Sequence, residues 1–206
     1  MRCKPPRRRR SSCPPKRDRA LANTYADLVR HYRDNYRQDA SDDLAFYAGQ
    51  PSLSHAVEVA AMSKTSGGKR QSHQRRLPAA TLRRAHAELD QCNLGGCHSF
   101  DQLFQVVSDT IGGIHGIGAL TIYDIACRIG AYLKLKPTRI YLHAGTREGA
   151  HAMGLGHGVD TLEIDELPLA FRRLAASEIE DCLCIYKDEL AEQAGSLHQS
   201  VRRRPR

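Results

Sequence analysis

The sequence predicts an all-α helical bundle, and three observations carry that prediction. Apolar residues recur at spacings of three and four along most of the chain, as in Leu21, Tyr25, Leu28, Val29, Tyr32 and Tyr36. No stretch alternates apolar and polar residues with period two for long, and no hairpin dipeptide joins strand-like runs. Two helical stretches are separated by glycines at 112, 113, 116 and 118, which a helix interior disfavours and a tight turn between helices needs. The 206 residues suit one domain, read as residues 18–195, between a basic arm at 1–17 and a basic tail at 196–206.

The arm combines Pro5, Pro6, Pro14 and Pro15 with the run Arg7 to Arg10, a composition that buries no core and predicts disorder. A first helix follows over about 19–37. Ser41-Asp42-Asp43 reads as the cap of a short second helix ending at Gly49, and Pro51-Ser52 opens a third with Leu53, Val57, Ala60 and Ala61 inward. Pro78 starts a fourth helix carrying Leu82, Ala85 and Leu89, stopped by Asn93-Leu-Gly-Gly96. Ser99-Phe-Asp-Gln102 is a capping box for a fifth, with Leu103, Val106 and Val107 inside. Beyond the glycine turn, Ile122, Ile125, Ala126 and Ile129 share a face, and Pro137 ends that helix. Another helix starts at Gly145 or Thr146 and closes at Gly154 and Gly156. Pro168 to Ala175 forms a further one, and Ser177-Glu-Ile-Glu180 is a second capping box opening the last, with Ile179, Leu183, Tyr186 and Leu190 inward.

Charge is unevenly placed. The first 19 residues hold nine lysines and arginines against Asp18, and four arginines end the chain, so these segments exceed the whole net charge of +8. The part between them is mildly acidic. Within it, Ser63 to Leu77 carries Lys64, Lys69, Arg70, Arg75 and Arg76 with two glycines and no acid. Such a segment is either a solvated loop or a phosphate-binding one, since forked guanidiniums match phosphate oxygens. Seven cysteines without a regular framework point to a reducing, cytoplasmic setting. Cys92, Cys97, His98, Cys182 and Cys184 have no metal-ligand spacing, so neither metal nor cofactor is expected. No apolar run is long enough to cross a membrane.

The turn itself reads Ile114-His115-Gly116-Ile117-Gly118, with a helix starting at once. Backbone N–H groups of Gly116, Gly118 and Ala119 would point outward there as a nest for a phosphate oxygen. The pattern resembles the helix-hairpin-helix motif, whose hydrophobic-x-Gly-hydrophobic-Gly turn grips a nucleic-acid phosphate without reading sequence. The resemblance implies DNA contacts at Gly116, Ile117, Gly118, Ala119 and Thr121, with Lys69, Arg70, Arg75 and Arg76 along the backbone.

A hairpin late in an all-α chain, then a helix and a polar loop, is similar to the endonuclease-III-like superfamily of DNA base-excision glycosylases over about residues 99–155. That likeness implies a DNA glycosylase that flips a damaged or modified base out of the duplex, in repair or in defence against modified phage DNA. The lysine of lyase-active members is replaced by Leu120, which implies a monofunctional, hydrolytic enzyme. The family's aspartate is absent from Tyr141-Leu142-His143-Ala144. The candidates for its role are His143 and Asp124, with Tyr123 beside Asp124 and Arg147 to orient the substrate. Asp124 equally suits a helix's first turn, and His143 and Arg147 equally suit capping and pairing. A non-enzymatic helix-hairpin-helix DNA-binding protein and an RNA-binding protein are the alternatives.

Overall fold

The computed structural model describes residues 24–193, and over them the protein is helical with one small sheet. The arm at 1–17, the tail and the Leu21 end of the first expected helix lie outside the described residues. Helix α1 spans Tyr25–Asn35, with Thr24 capping the N–H of Asp27 at 3.2 Å. It breaks at Tyr36, and α2 (Arg37–Ala48) starts one residue later. Ser41 to Asp43 therefore lies inside α2 and does not open a helix. These residues sit on its outer side, and a Gln38–Asp42 side-chain hydrogen bond of 2.7 Å spans the turn. Helix α3 (Leu53–Ala61) is capped by Ser52, and α4 (Ala79–Leu89) follows Pro78, as the sequence predicts.

Helices α5 (Phe100–Ile111) and α6 (Ala119–Leu133) are the two arms of the hairpin. Ser99 Oγ accepts from Gln102 N–H at 3.2 Å, but the Gln102 side chain reaches one residue further back than a capping box requires, to His98 N–H at 2.8 Å. Helix α6 ends on Lys134 in the left-handed conformation, whose N–H reaches Gly130 O. It packs against α2, α3 and α5, and their buried residues, with Leu82, Ala85 and Leu89 of α4, form the first hydrophobic core.

The triplet Ile140-Tyr141-Leu142 is the exception to the all-helical reading. Ile140–Tyr141 forms β1, antiparallel to β2 (Thr161–Leu162). Its alternation divides the molecule: Tyr141 enters the first core, while Ile140 and Leu142 enter a second. That second core is closed by α1, α7 (Ala144–Ala152) and α8 (Ala176–Ile185). Residues 168–175, expected to be helical, are successive turns, with Phe171 and Leu174 N–H groups bonding three residues back. Phe171 and Leu174 are both buried in the core, so their burial survives the loss of the helix.

Helices α7 and α8 approach very closely because α7 presents Gly145 and Gly149 to α8. A Cβ at Gly149 would stand 2.1 Å from Leu183 O. Gly149→Ala is expected to lower stability by about 3 kcal/mol, read as a shift in denaturant midpoint at unchanged slope, because the clash is with rigid backbone.

Candidate nucleic-acid interface

The turn between α5 and α6 is built from inside outward. Ile111, Ile114 and Ile117 are buried in the first core and pin the loop down. The N–H of Ile114 bonds Ile111 O and that of Ile117 bonds Ile114 O, each at 3.0 Å. Gly116 lies between them at φ +90°, in the region where a side chain is strained. Gly118 is the N-cap of α6 with extended backbone, and nothing lies within 4 Å of where its Cβ would be. Among the described residues, the N–H groups of Gly116, Gly118, Ala119 and Leu120 meet no acceptor. Donors at the start of a fifteen-residue helix, on an open surface, are what an anionic oxygen binds.

The basic segment lies against this turn. Gly116's missing Cβ would sit 3.8 Å from Leu77 Cδ2 and 4.0 Å from Thr81 Cγ2, so residues 77–81 flank the hairpin tip. The segment is folded on itself by a Lys64–Arg70 bridge, with Gly68 at φ +69° in its turn. Lys64 pairs with Glu58 at 2.6 Å, and Arg70 donates to Leu77 O at 2.6 Å, so both have structural work. Lys69, Arg75 and Arg76 are exposed and have no acidic partner among the described residues. Three uncommitted cations therefore belong to a segment whose end borders the unpaired donors.

A buried polar cluster ties the segment to the hairpin. Arg128, 7% exposed, donates to Ser63 Oγ, Gln74 Oε1 and Asp124 Oδ2, each at 3.2 Å, and its guanidinium lies 5.6 Å from the Tyr47 ring centre. Gln74 Nε2 donates to Asp124 Oδ2 at 2.5 Å. Tyr47 in turn donates to Lys64 O at 2.8 Å. Asp124 thus holds loop and helix together, through Gln74 on one side and Arg128 one turn on. The sequence shows the clue in retrospect: Arg128 lies three residues from inward-facing Ile125 and four from Asp124.

The remaining predicted site residues divide. Tyr123 and His143 come together with ring centres 5.9 Å apart, and both are buried. Burial, with the Cys127 thiol alongside, raises the Tyr123 phenol well above its ordinary range. His143 is 4% exposed and meets Glu180, whose carboxylate also accepts from Thr146 Oγ1 at 2.8 Å. Glu180 was legible only as the end of a capping box. The box is in fact offset: Glu178 caps Ala175 N–H at 2.8 Å, which frees Glu180 to turn inward. Arg147 holds the second strand, bonding Val159 O at 2.7 Å, Leu142 O at 3.0 Å and Asp160 at 2.8 Å. Asp124, His143 and Arg147 are thus engaged in three separate networks. Ile117 is buried with its N–H taken by Ile114 O, Ala119 is exposed, and Thr121 turns inward, so neither Ile117 nor Thr121 puts a side chain on the contact face.

No family model, curated protein or solved structure matches this chain. No helix among the described residues is long and apolar enough to cross a membrane.

Proposed function

We propose that this protein binds DNA through the phosphate backbone, with the α5–α6 turn as the gripping element and Lys69, Arg75 and Arg76 beside it. The observation that carries this reading is the row of unpaired N–H groups at Gly116, Gly118, Ala119 and Leu120 bordered by a segment with unpaired cations. Backbone donors and flexible cations recognise phosphate and not base edges, so the binding is independent of sequence. The arginine-rich ends of the chain add the same kind of attraction.

The test is affinity for a short DNA duplex as a function of salt. Replacing Lys69, Arg75 and Arg76 together by alanine should flatten the slope of log affinity against log salt by roughly 2 to 3, because each lost phosphate contact removes about 0.9. An unchanged slope overturns their role. A matching RNA duplex in the same assay tells DNA from general phosphate binding, and equal affinity supports the RNA alternative.

A base-excision step is the second reading, favoured by the meeting of Tyr123 from the hairpin helix with His143 from the loop after it. It requires the seam between the two cores to open, because both side chains are buried. DNA carrying varied modified bases, incubated with the protein and then treated with alkali, tests it. Strand breaks that vanish in His143→Ala support excision; salt-sensitive binding without breaks on any substrate sinks it.

A further inference from the structure

Beyond DNA binding, the contact between α7 and α8 holds a second set of chemistry-bearing residues. His143, Glu180 and Cys184 bring an imidazole nitrogen, a carboxylate oxygen and a sulfur within 4.8 Å of one another. Glu180 and Cys184 are four residues apart, so they share one face of α8. His143 caps the start of α7 and faces them. The position of Cys184 depends on Gly145: a Cβ there would stand 2.7 Å from Cys184 Sγ. Glycine therefore leaves room for the sulfur beside the other two groups.

Electrostatics give an independent reason to expect a cation. Glu180 is 6% exposed, and its ion-pair partner among the described residues is His143, with no lysine or arginine reaching it. A buried carboxyl group needs polar or charged partners, and an imidazole and a hydroxyl are the ones it has among the described residues. Asp181 next to it accepts from Tyr32 at 2.8 Å, and burial together with Glu180 pushes its carboxyl well above the ordinary carboxylate range.

We propose that His143, Glu180 and Cys184 bind a divalent ion of the zinc type. Imidazole, carboxylate and thiolate are the zinc donor set, and bonds of roughly 2.0 to 2.3 Å place such ligands about 3 to 4 Å apart. The three groups reach that spacing by small side-chain shifts. On binding, the imidazole nitrogen that meets the ion gives up any proton it carries to water, and Thr146 Oγ1 stands beside the ring, 2.9 Å from Nε2 and 3.4 Å from Nδ1. The Cys184 thiol releases its proton to water. The ion then meets a neutral imidazole, one carboxylate and one thiolate, so the site is neutral overall. The Thr146 hydroxyl, already donating to Glu180, orients the carboxylate from outside the ligand shell. The ion would fasten α7 to α8 behind β1.

The test uses the full chain, stripped with chelator and titrated with Co²⁺ as a spectroscopic stand-in. One ion per chain should bind, with a thiolate-to-cobalt charge-transfer band. Cys184→Ser should abolish the band and weaken binding at least tenfold, and Thr146→Val should keep the band while weakening binding roughly 10- to 100-fold. Absence of stoichiometric uptake by the native chain, or a wild-type band in Cys184→Ser, overturns the site. Should circular dichroism show that the serine variant is unfolded, alkylation of the native chain decides. Zn²⁺ must slow modification of Cys184 at least tenfold, and an unchanged rate overturns the proposal.

Discussion

Gly118→Leu is expected to weaken DNA binding roughly thirtyfold while leaving the fold intact. The backbone at Gly118 is extended, a conformation open to any residue, and the space where its Cβ would stand is empty. The variant should unfold within about 0.5 kcal/mol of the native chain. Empty space inside the protein's own contacts is, on the proposed reading, the place of a phosphate. A leucine there blocks the approach of the oxygen to the N–H groups of Gly118 and Ala119. Losing a charge-assisted hydrogen bond costs about 2 kcal/mol, which is the thirtyfold loss. Gly116→Ala makes the informative contrast. At φ +90° the alanine is strained by about 1 to 2 kcal/mol, so this variant loses stability as well as binding. Equal DNA affinity for Gly118→Leu and the native chain, measured by fluorescence anisotropy at one salt concentration, would exclude the turn as the gripping element.

The turn was legible because glycine and isoleucine act there through the backbone and the core, and both effects are local. Ile114 and Ile117 are buried and Gly116 has positive φ, as five adjacent letters imply. The strand pair was not legible. Two residues are too few for an alternation to register, and β1 is fixed by tertiary contact, with the Tyr141 ring tilted against Phe104 at 4.4 Å between centres and its hydroxyl bonded to Asp101 at 2.5 Å. The helix expected at 168–175 failed for a related reason: its apolar spacing suits a series of turns equally well when Phe171 and Leu174 alone need burial. Site residues were the hardest. The chemistry of Asp124, His143 and Arg147 makes them candidates, but a sequence does not say what stands opposite a side chain. Gln74 and Arg128 stand opposite Asp124, Glu180 opposite His143, and Asp160 opposite Arg147. Apart from Arg128, which the four-residue spacing on α6 places beside Asp124, each partner lies at a sequence distance that periodicity does not connect.

Arg128→Leu is expected to have the largest effect on stability, about 3 to 5 kcal/mol. Its guanidinium is the common donor for α3, the basic segment and α6, reaching Ala60 O of α3, Ser63 and Gln74 of the segment, and Asp124 from a position that is 7% exposed. Without it the Asp124 carboxylate keeps Gln74 as a donor but loses its cation, and the hydroxyl of Ser63 loses its donor. The loss is a large part of the 5 to 15 kcal/mol that ordinarily separates a folded domain from its unfolded chain. It should appear in urea unfolding as a lower midpoint. Removing the acid as well tests the cause: in Arg128→Leu with Asp124→Leu no charge is stranded, so the double variant should lose less than the two single losses together, by about 1 to 3 kcal/mol. Strict additivity would mean that Arg128 stabilises by packing against Tyr47 and not through Asp124. The same pair of variants bears on function. If Asp124 serves to hold the basic segment against the hairpin, Asp124→Asn binds DNA more weakly in proportion to how far the segment is released. If it served chemistry on a base, binding would persist and only product would be lost.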